Sequence, residues 1–286
     1  MNQIKIFIEL TRLNKPIGFM LLFWPCAWGL TLAYFTKNEL SLYGKHIVLF
    51  FLGSVLMRSA GCIFNDIIDR DLDKKVKRTK KRPIAAGKIS VLKSLMYVAS
   101  LCFLSLVILL QFNFLTILLG VCSMSLAFAY PFMKRITYWP QFFLGLTFNW
   151  GIIMGWTSIT NNISIEPLIL YLAAIFWTLG YDTIYGLQDL HDDEIIGVKS
   201  TSIKFKNNVK VFVGICYSLC VFFILMLGFL IEMDKYLLLV SLFFILSLIY
   251  QLIFFKINDS QSCLFSFKMN NLTGFLIFIF IFSFNF

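Results

Sequence analysis

At 286 residues, 59% hydrophobic and only 14% charged, with a mean hydropathy of +0.82, this chain is far too apolar for a soluble globular domain. Its formal net charge of +10 raises nucleic acid as a partner, but the basic residues gather at one membrane face, where anionic lipid headgroups explain them, and nucleic-acid binding is set aside. Seven cysteines without a CxxC pair and two distant histidines, His46 and His191, indicate neither a disulfide framework nor a zinc site.

Long apolar runs predict an all-α polytopic membrane protein, and the short alternating segments of a β-barrel are absent. Lys5, Glu9, Arg12 and Lys15 interrupt the start and no small-residue cleavage site follows, so the first span, 17–36, is expected to be retained. The second covers 46–65 and leads into a polar loop, dense in cations, that runs to about residue 90. Spans three and four, 91–111 and 113–131, are separated by a very short link. Span five, 140–159, carries a GxxxG pair, Gly151 and Gly155, read as helix packing. Span six, 166–187, enters a second polar loop, and three more follow at 209–231, 236–255 and 269–286. No linker divides the chain, so a single domain over 1–286 is expected.

All the Lys and Arg residues except Lys37, Lys45, Arg58 and Lys235 fall in the N-terminal segment or in loops after even-numbered spans. The positive-inside rule then places the N-terminus and those loops in the cytoplasm, and nine spans place the C-terminus outside. The expected setting is an integral membrane protein surrounded by membrane lipid, in a bacterial inner membrane.

Two short stretches hold nine of the fifteen carboxylates, each at the end of a span. The first is Asn65-Asp66-Ile67-Ile68-Asp69-Arg70-Asp71-Leu72-Asp73; the second runs from Asp182 through Tyr185 and Asp189 to Asp192-Asp193-Glu194. Charge beside hydrocarbon costs several kcal/mol, so it is kept there for a reason. On a helix, Asp66, Asp69 and Asp73 share one face, and so do Asp182, Tyr185, Asp189 and Asp193. Like charges on one face repel unless cations intervene. Mg²⁺ fits, because it takes a few carboxylates together with phosphate oxygens and water. One such stripe alone reads equally well as a solvated helix end. Two with matching spacing, on the same side, favour a metal–diphosphate site with Asp66, Asp69, Asp73, Asp189 and Asp193 as ligands. Arg70, Lys74, Arg78, Arg82, Lys134, Arg135 and Lys199 are the cations available for diphosphate oxygens, although each alone reads as a lipid-contact residue. Arg58, about two turns inside span two, is either a site residue or a snorkelling or ion-paired one.

Residues 65–73 have the form NDxxDxxxD, followed by Lys77-Arg78-Thr79, Arg82-Pro83 and Gly87. The later stretch, Tyr181-Asp182-Thr183-Ile184-Tyr185 to Asp189, Asp193 and Gly197-Val198-Lys199-Ser200-Thr201, supplies a second signature. Together these resemble the UbiA superfamily of intramembrane aromatic prenyltransferases. Arg12, Lys15-Pro16-Ile17-Gly18, Trp24-Pro25 and Tyr130-Pro131-Phe132-Met133-Lys134-Arg135 are most similar to the members that act on 4-hydroxybenzoate in ubiquinone synthesis. The resemblance implies nine transmembrane helices around a central cavity with a cytoplasmic cap, Mg²⁺ as cofactor, and a polyprenyl diphosphate donor whose tail leaves toward lipid. It also implies that Asp69, Asp73, Asp189 and Asp193 are catalytic. Asn65 and Asp182 would support them, and Arg135 and Lys199 match positions expected to contact the diphosphate or the acceptor carboxylate; by their placement beside or within the stripes and span two, Arg58, Arg70, Lys134 and Tyr185 are further candidates to contact substrate. Leu190-His191 departs from the family's pattern, which sets His191 aside and leaves the flanking aspartates in place. Two rivals stand beside this expectation. One is prenylation of another acceptor, such as a menaquinone precursor, haem or a sugar phosphate. The other is a cation-coupled transporter, which would place its acidic residues near the bilayer midplane instead of at helix ends.

Overall fold

The computed structural model describes residues 3–37, 40–234 and 236–285. A short α1 (Gln3–Thr11) leads into α2 (Ile17–Lys37) and the long α3 (Leu40–Ile68), which is followed at once by one turn, α4 (Arg70–Asp73). Next come α5 (Val91–Leu109) and α6 (Phe114–Ile136), then α7 (Pro140–Asn149) and α8 (Gly151–Thr160), which together make one crossing. α9 (Ile165–Gly186) is continued by a short 3₁₀ turn and α10 (Leu190–Ile196); α11 (Thr201–Lys204), α12 (Val209–Leu230), α13 (Leu237–Phe254) and α14 (Ser260–Phe282) complete the order. Nine helical crossings are long and apolar enough to span a membrane among the described residues, and the protein is all-α there.

The local sequence explains where the helices start and stop. Ser90 caps α5 by accepting from the Lys93 amide, and Asn113 caps α6 by accepting from the Thr116 amide. Pro140 occupies the first turn of α7, where its missing N–H costs nothing. α8 ends on Asn161 in the left-handed region.

Helices gain little from hydrophobicity when the surroundings are equally apolar, so packing rests on close approach and on polar contacts between helices. α2 and α8 meet at glycine. A Cβ on Gly29 would lie 2.0 Å from the Ile152 carbonyl oxygen, and one on Gly155 would lie 2.5 Å from that of Cys26. The GxxxG pair of span five is therefore packing, as its spacing suggested. Gly29→Val is expected to force these backbones apart and destabilise the fold by about 3 kcal/mol, seen as a lower thermal midpoint in detergent; an unchanged midpoint would contradict this packing.

A polar network ties α9, α12, α13 and α14 together. Gln251 accepts from the Tyr217 hydroxyl (3.1 Å) and from Asn270 (2.8 Å), and donates to Thr273 (2.8 Å), while Trp177 donates to Asn270 (2.8 Å). One departure from the sequence expectation lies beside this network. The last helix begins at Ser260, not 269, and its polar residues Ser262 and Ser266 are buried instead of lying in a loop. Lys268 consequently stands about two turns inside α14. The second helix also starts earlier than expected, at Leu40. Residue 286, at the end of the ninth expected span, lies outside the described residues.

Candidate active site

α3 delivers the first acidic stretch. The helix breaks at Asp69, yet the amides of Asp69 and Asp73 still donate to Asn65 (2.9 Å) and Asp69 (2.8 Å), so α4 continues the same direction. Asp66, Asp69 and Asp73 are therefore brought together and are all buried, at 2%, 1% and 6% exposure. Buried carboxylates need counter-charge, and the neighbouring segments supply it. Arg12 donates to Asp66 (2.6 Å), Arg82 bridges Asp66 (3.0 Å) and Asp73 (2.8 Å), and Lys134 at the end of α6 pairs with Asp69. Burial pushes the Asp73 carboxyl above its usual range, against the pull of Arg82.

The second stretch forms where α9 gives way to α10. Arg78 donates from Nε to both Asp189 oxygens (2.7 and 3.0 Å) and from Nη1 to the Tyr185 hydroxyl (3.2 Å). The Lys77 amide donates to Asp192 (3.1 Å), so the first polar loop lies directly on the second acidic stretch. Gly197, at φ +79°, ends α10 by donating to the Asp193 carbonyl oxygen, a position glycine fills without strain. From there the Lys199 amide reaches the Lys134 carbonyl oxygen (2.9 Å), tying this loop to the end of α6. Lys134 thus pairs with Asp69 and also lies within electrostatic range of Asp193. The two acidic tips lie close together, and in this structure cations join them.

Between the tips a cavity of about 1280 Å³ enters the helix bundle. Arg58, Asn65, Asp66, Asp182 and Tyr185 line it; Asp69, Asp73, Asp189 and Asp193 lie outside its lining, the first three paired with Lys134, Arg82 and Arg78 in turn. Deeper in, its walls are apolar: Phe50, Leu106, Leu109, Phe112 and Met154. Arg58 sits over the Phe148 ring (5.4 Å), and its Nε is buried without a hydrogen-bond partner.

Some expected residues face elsewhere. Arg70 pairs with Asp71 at the exposed surface (3.4 Å). Arg135 donates to the Ile68 carbonyl oxygen (2.7 Å) and stands 3.8 Å from Asp69, and Lys199 donates to the Ile136 carbonyl oxygen (3.1 Å). These three lie outside the cavity lining. Conversely, Gln188, Lys268 and Asn271 line the cavity without having been singled out. Gln188 was visible in the second stretch; Lys268 was hidden because its helix begins earlier than hydropathy suggests.

The donor set suits a hard divalent ion in part. Asp69 Oδ1 is buried and accepts no hydrogen bond among the described residues. Yet no three His, Cys, Asp or Glu side chains among the described residues group closely enough to hold an ion by themselves. Cations satisfy the carboxylates here: Arg78 holds Asp189, and Lys134 pairs with Asp69 while lying within electrostatic range of Asp193. An Mg²⁺ shell at this place needs oxygens from phosphate or water, which is that ion's ordinary habit.

Residues 22–272 match the UbiA prenyltransferase family. The chain belongs to that family. It is 47% identical over 209 residues to the mitochondrial 4-hydroxybenzoate polyprenyltransferase of Caenorhabditis elegans, an alignment covering 73% of this chain and 58% of that protein. The Homo sapiens protein of the same name is 47% identical over 212 residues, 71% of this chain and 55% of the relative. The chain spans about half the length of the curated relatives it matches. A UbiA homolog from Aeropyrum pernix K1, solved without ligand, shares the fold at a TM-score of 0.77 and 22% identity, covering 93% of this chain and 98% of that one. One from Archaeoglobus fulgidus, bound to GPP and Mg²⁺, shares it at 0.72 and 18% identity, covering 98% and 99%.

Proposed function

We propose that this UbiA-family chain transfers a polyprenyl group from polyprenyl diphosphate to the ring carbon ortho to the hydroxyl of 4-hydroxybenzoate, with Mg²⁺. One observation carries the reading: a single cavity joins a charged mouth to an apolar interior at membrane depth. Its lining holds seven Lys and Arg side chains but three carboxylates, an excess suited to anionic substrates. The names of the curated relatives support the acceptor, and the ligands of the Archaeoglobus fulgidus protein support a prenyl diphosphate and a divalent metal.

In this reading Asp66, Asp69, Asp73, Asp189 and Asp193 hold Mg²⁺, whose charge would balance the diphosphate. Arg12, Arg78, Arg82 and Lys134 turn from the carboxylates to phosphate oxygens, stabilising the leaving group as its C1–O bond breaks and the electron pair departs with it. Arg58, with its unpartnered Nε, takes the acceptor carboxylate, and Asn65, Asp182 and Tyr185 orient the two substrates. The ring carbon then bonds to C1 of the allylic cation, and its proton leaves to a site carboxylate or to the released diphosphate. An apolar wall keeps water from the cation. The two polar loops act as the cap. We also infer that residues 1–286 work as one domain and that the charged mouth faces the cytoplasm in a bacterial inner membrane. The relatives' names place those proteins in mitochondria, where the same charge rule sets this face toward the matrix.

The test is incubation of the purified chain with polyprenyl diphosphate, radiolabelled 4-hydroxybenzoate and Mg²⁺. Labelled prenylated acid is expected, and its formation should stop when a chelator removes the metal. Prenylation of a different aromatic acceptor instead would overturn the acceptor assignment.

A further inference from the structure

Two of the cations that line the cavity stand well inside the helix bundle: Arg58 on α3 and Lys268 on α14. Ser260, the first residue of α14, borders a surface hollow together with Asp189 and Asp192, so it marks the level of the second acidic tip. At 1.5 Å per residue, Lys268 lies about 12 Å inside that level, and Arg58 about 12 Å inside Asp66 of the first tip. Contacts on both sides of Lys268 fix its place. The Phe267 ring packs on that of Tyr185 (4.4 Å), and Asn271 accepts from the Trp24 indole of α2 (2.9 Å). Arg58 also reaches α2, where a Cβ on Gly18 would meet its Nε at 2.8 Å. Gly53 and Gly61, before and after Arg58 on α3, line the cavity too, and a Cβ at either would meet no atom within 4 Å. That leaves room for an aromatic ring beside the guanidinium.

A cation at membrane depth is costly unless an anion or water meets it. Arg12, Arg78, Arg82 and Lys134 all pair with carboxylates of the tips. Lys268 is exposed and makes no ion pair or hydrogen bond among the described residues. We propose that Lys268 is a specificity-determining residue for the acceptor, its ammonium meeting the acceptor carboxylate from α14 while Arg58 meets it from α3. The proposal rests on the acceptor reading above and adds the residue that makes a carboxylate necessary. In 4-hydroxybenzoate the carboxylate is para to the hydroxyl, and the reacting carbon is next to the hydroxyl. Turning that carbon toward the diphosphate turns the carboxylate inward, away from the phosphate charge that would repel it. The guanidinium offers a planar fork and the ammonium a mobile point charge, so the two together cover both carboxylate oxygens.

The experiment measures direct binding of 4-hydroxybenzoate and of its methyl ester to the full chain, together with KM for acceptor and donor. Lys268→Met keeps an unbranched side chain suited to membrane depth and removes the charge. It is expected to weaken the acid and raise its KM at least about tenfold, with the ester, the donor KM and kcat each within about twofold. Lys268→Arg, which returns the charge, should recover most of the acid's affinity. Equal weakening of acid and ester by Lys268→Met, or no weakening of either, would overturn the proposal. A rise confined to the donor KM would overturn it too, by placing the ammonium among the diphosphate oxygens. A chain that binds the acid through Lys268 but does not prenylate it leaves the residue's role standing and overturns the acceptor assignment. One that does not bind the acid at all overturns both.

Discussion

Asp69→Asn is expected to remove turnover, by about a thousandfold, while the protein still inserts and folds. Asp69 is 1% exposed, pairs with Lys134 and keeps its Oδ1 free of hydrogen bonds among the described residues. The amide keeps the size of the side chain but removes the negative charge that would face a metal. Asp189→Ala should match it from the other tip, since Asp189 holds Arg78 against Tyr185. The check is prenyl transfer measured beside the thermal midpoint in detergent. Near-normal rates in both variants would end the proposal that these tips act on a metal-bound diphosphate. Losses confined to the midpoint would make the two aspartates structural.

Arg82→Ala should destabilise the protein by about 3 kcal/mol. Its guanidinium bridges Asp66 and Asp73, which are 2% and 6% exposed, and its loss leaves Arg12 to balance the pair. A buried carboxylate without a partner is far costlier than the net gain from a formed pair. The sign with pH follows from Asp73, whose carboxyl burial already pushes upward. Without Arg82 it rises further. The variant's deficit is therefore full at neutral pH and shrinks as pH falls and protonation neutralises the group. Thermal midpoints at several pH values check this, and a deficit that grew on acidification would contradict it. Mg²⁺ with a prenyl diphosphate should restore part of the lost midpoint, because ligands that bind only the folded state stabilise it.

How much was legible beforehand depended on the kind of signal. Hydropathy gave nine spans because a helix in lipid must satisfy its own backbone, which makes apolar length diagnostic. It misplaced the start of α14, where Ser262 and Ser266 read as loop but lie buried in the helix, Ser262 donating to the Asp259 carbonyl oxygen one turn before it. The acidic stretches were legible because carboxylates are rare in so apolar a chain. Their partners were less so: Arg78 and Arg82 stood among seven similar cations in residues 74–82, and spacing alone did not rank them.

Sequence by itself determined the membrane class, the number of crossings and the two families of carboxylates, since each follows from local composition or helical period. Tertiary structure decided which cation meets which aspartate: Arg82 takes Asp66 and Asp73, Arg78 takes Asp189, Lys134 takes Asp69, and Arg70 turns away to Asp71. It also separated glycines that pack from glycines that open a cavity. The reason is that charge pairing and close approach depend on distances between helices far apart in the chain, and no local pattern of residues encodes those distances.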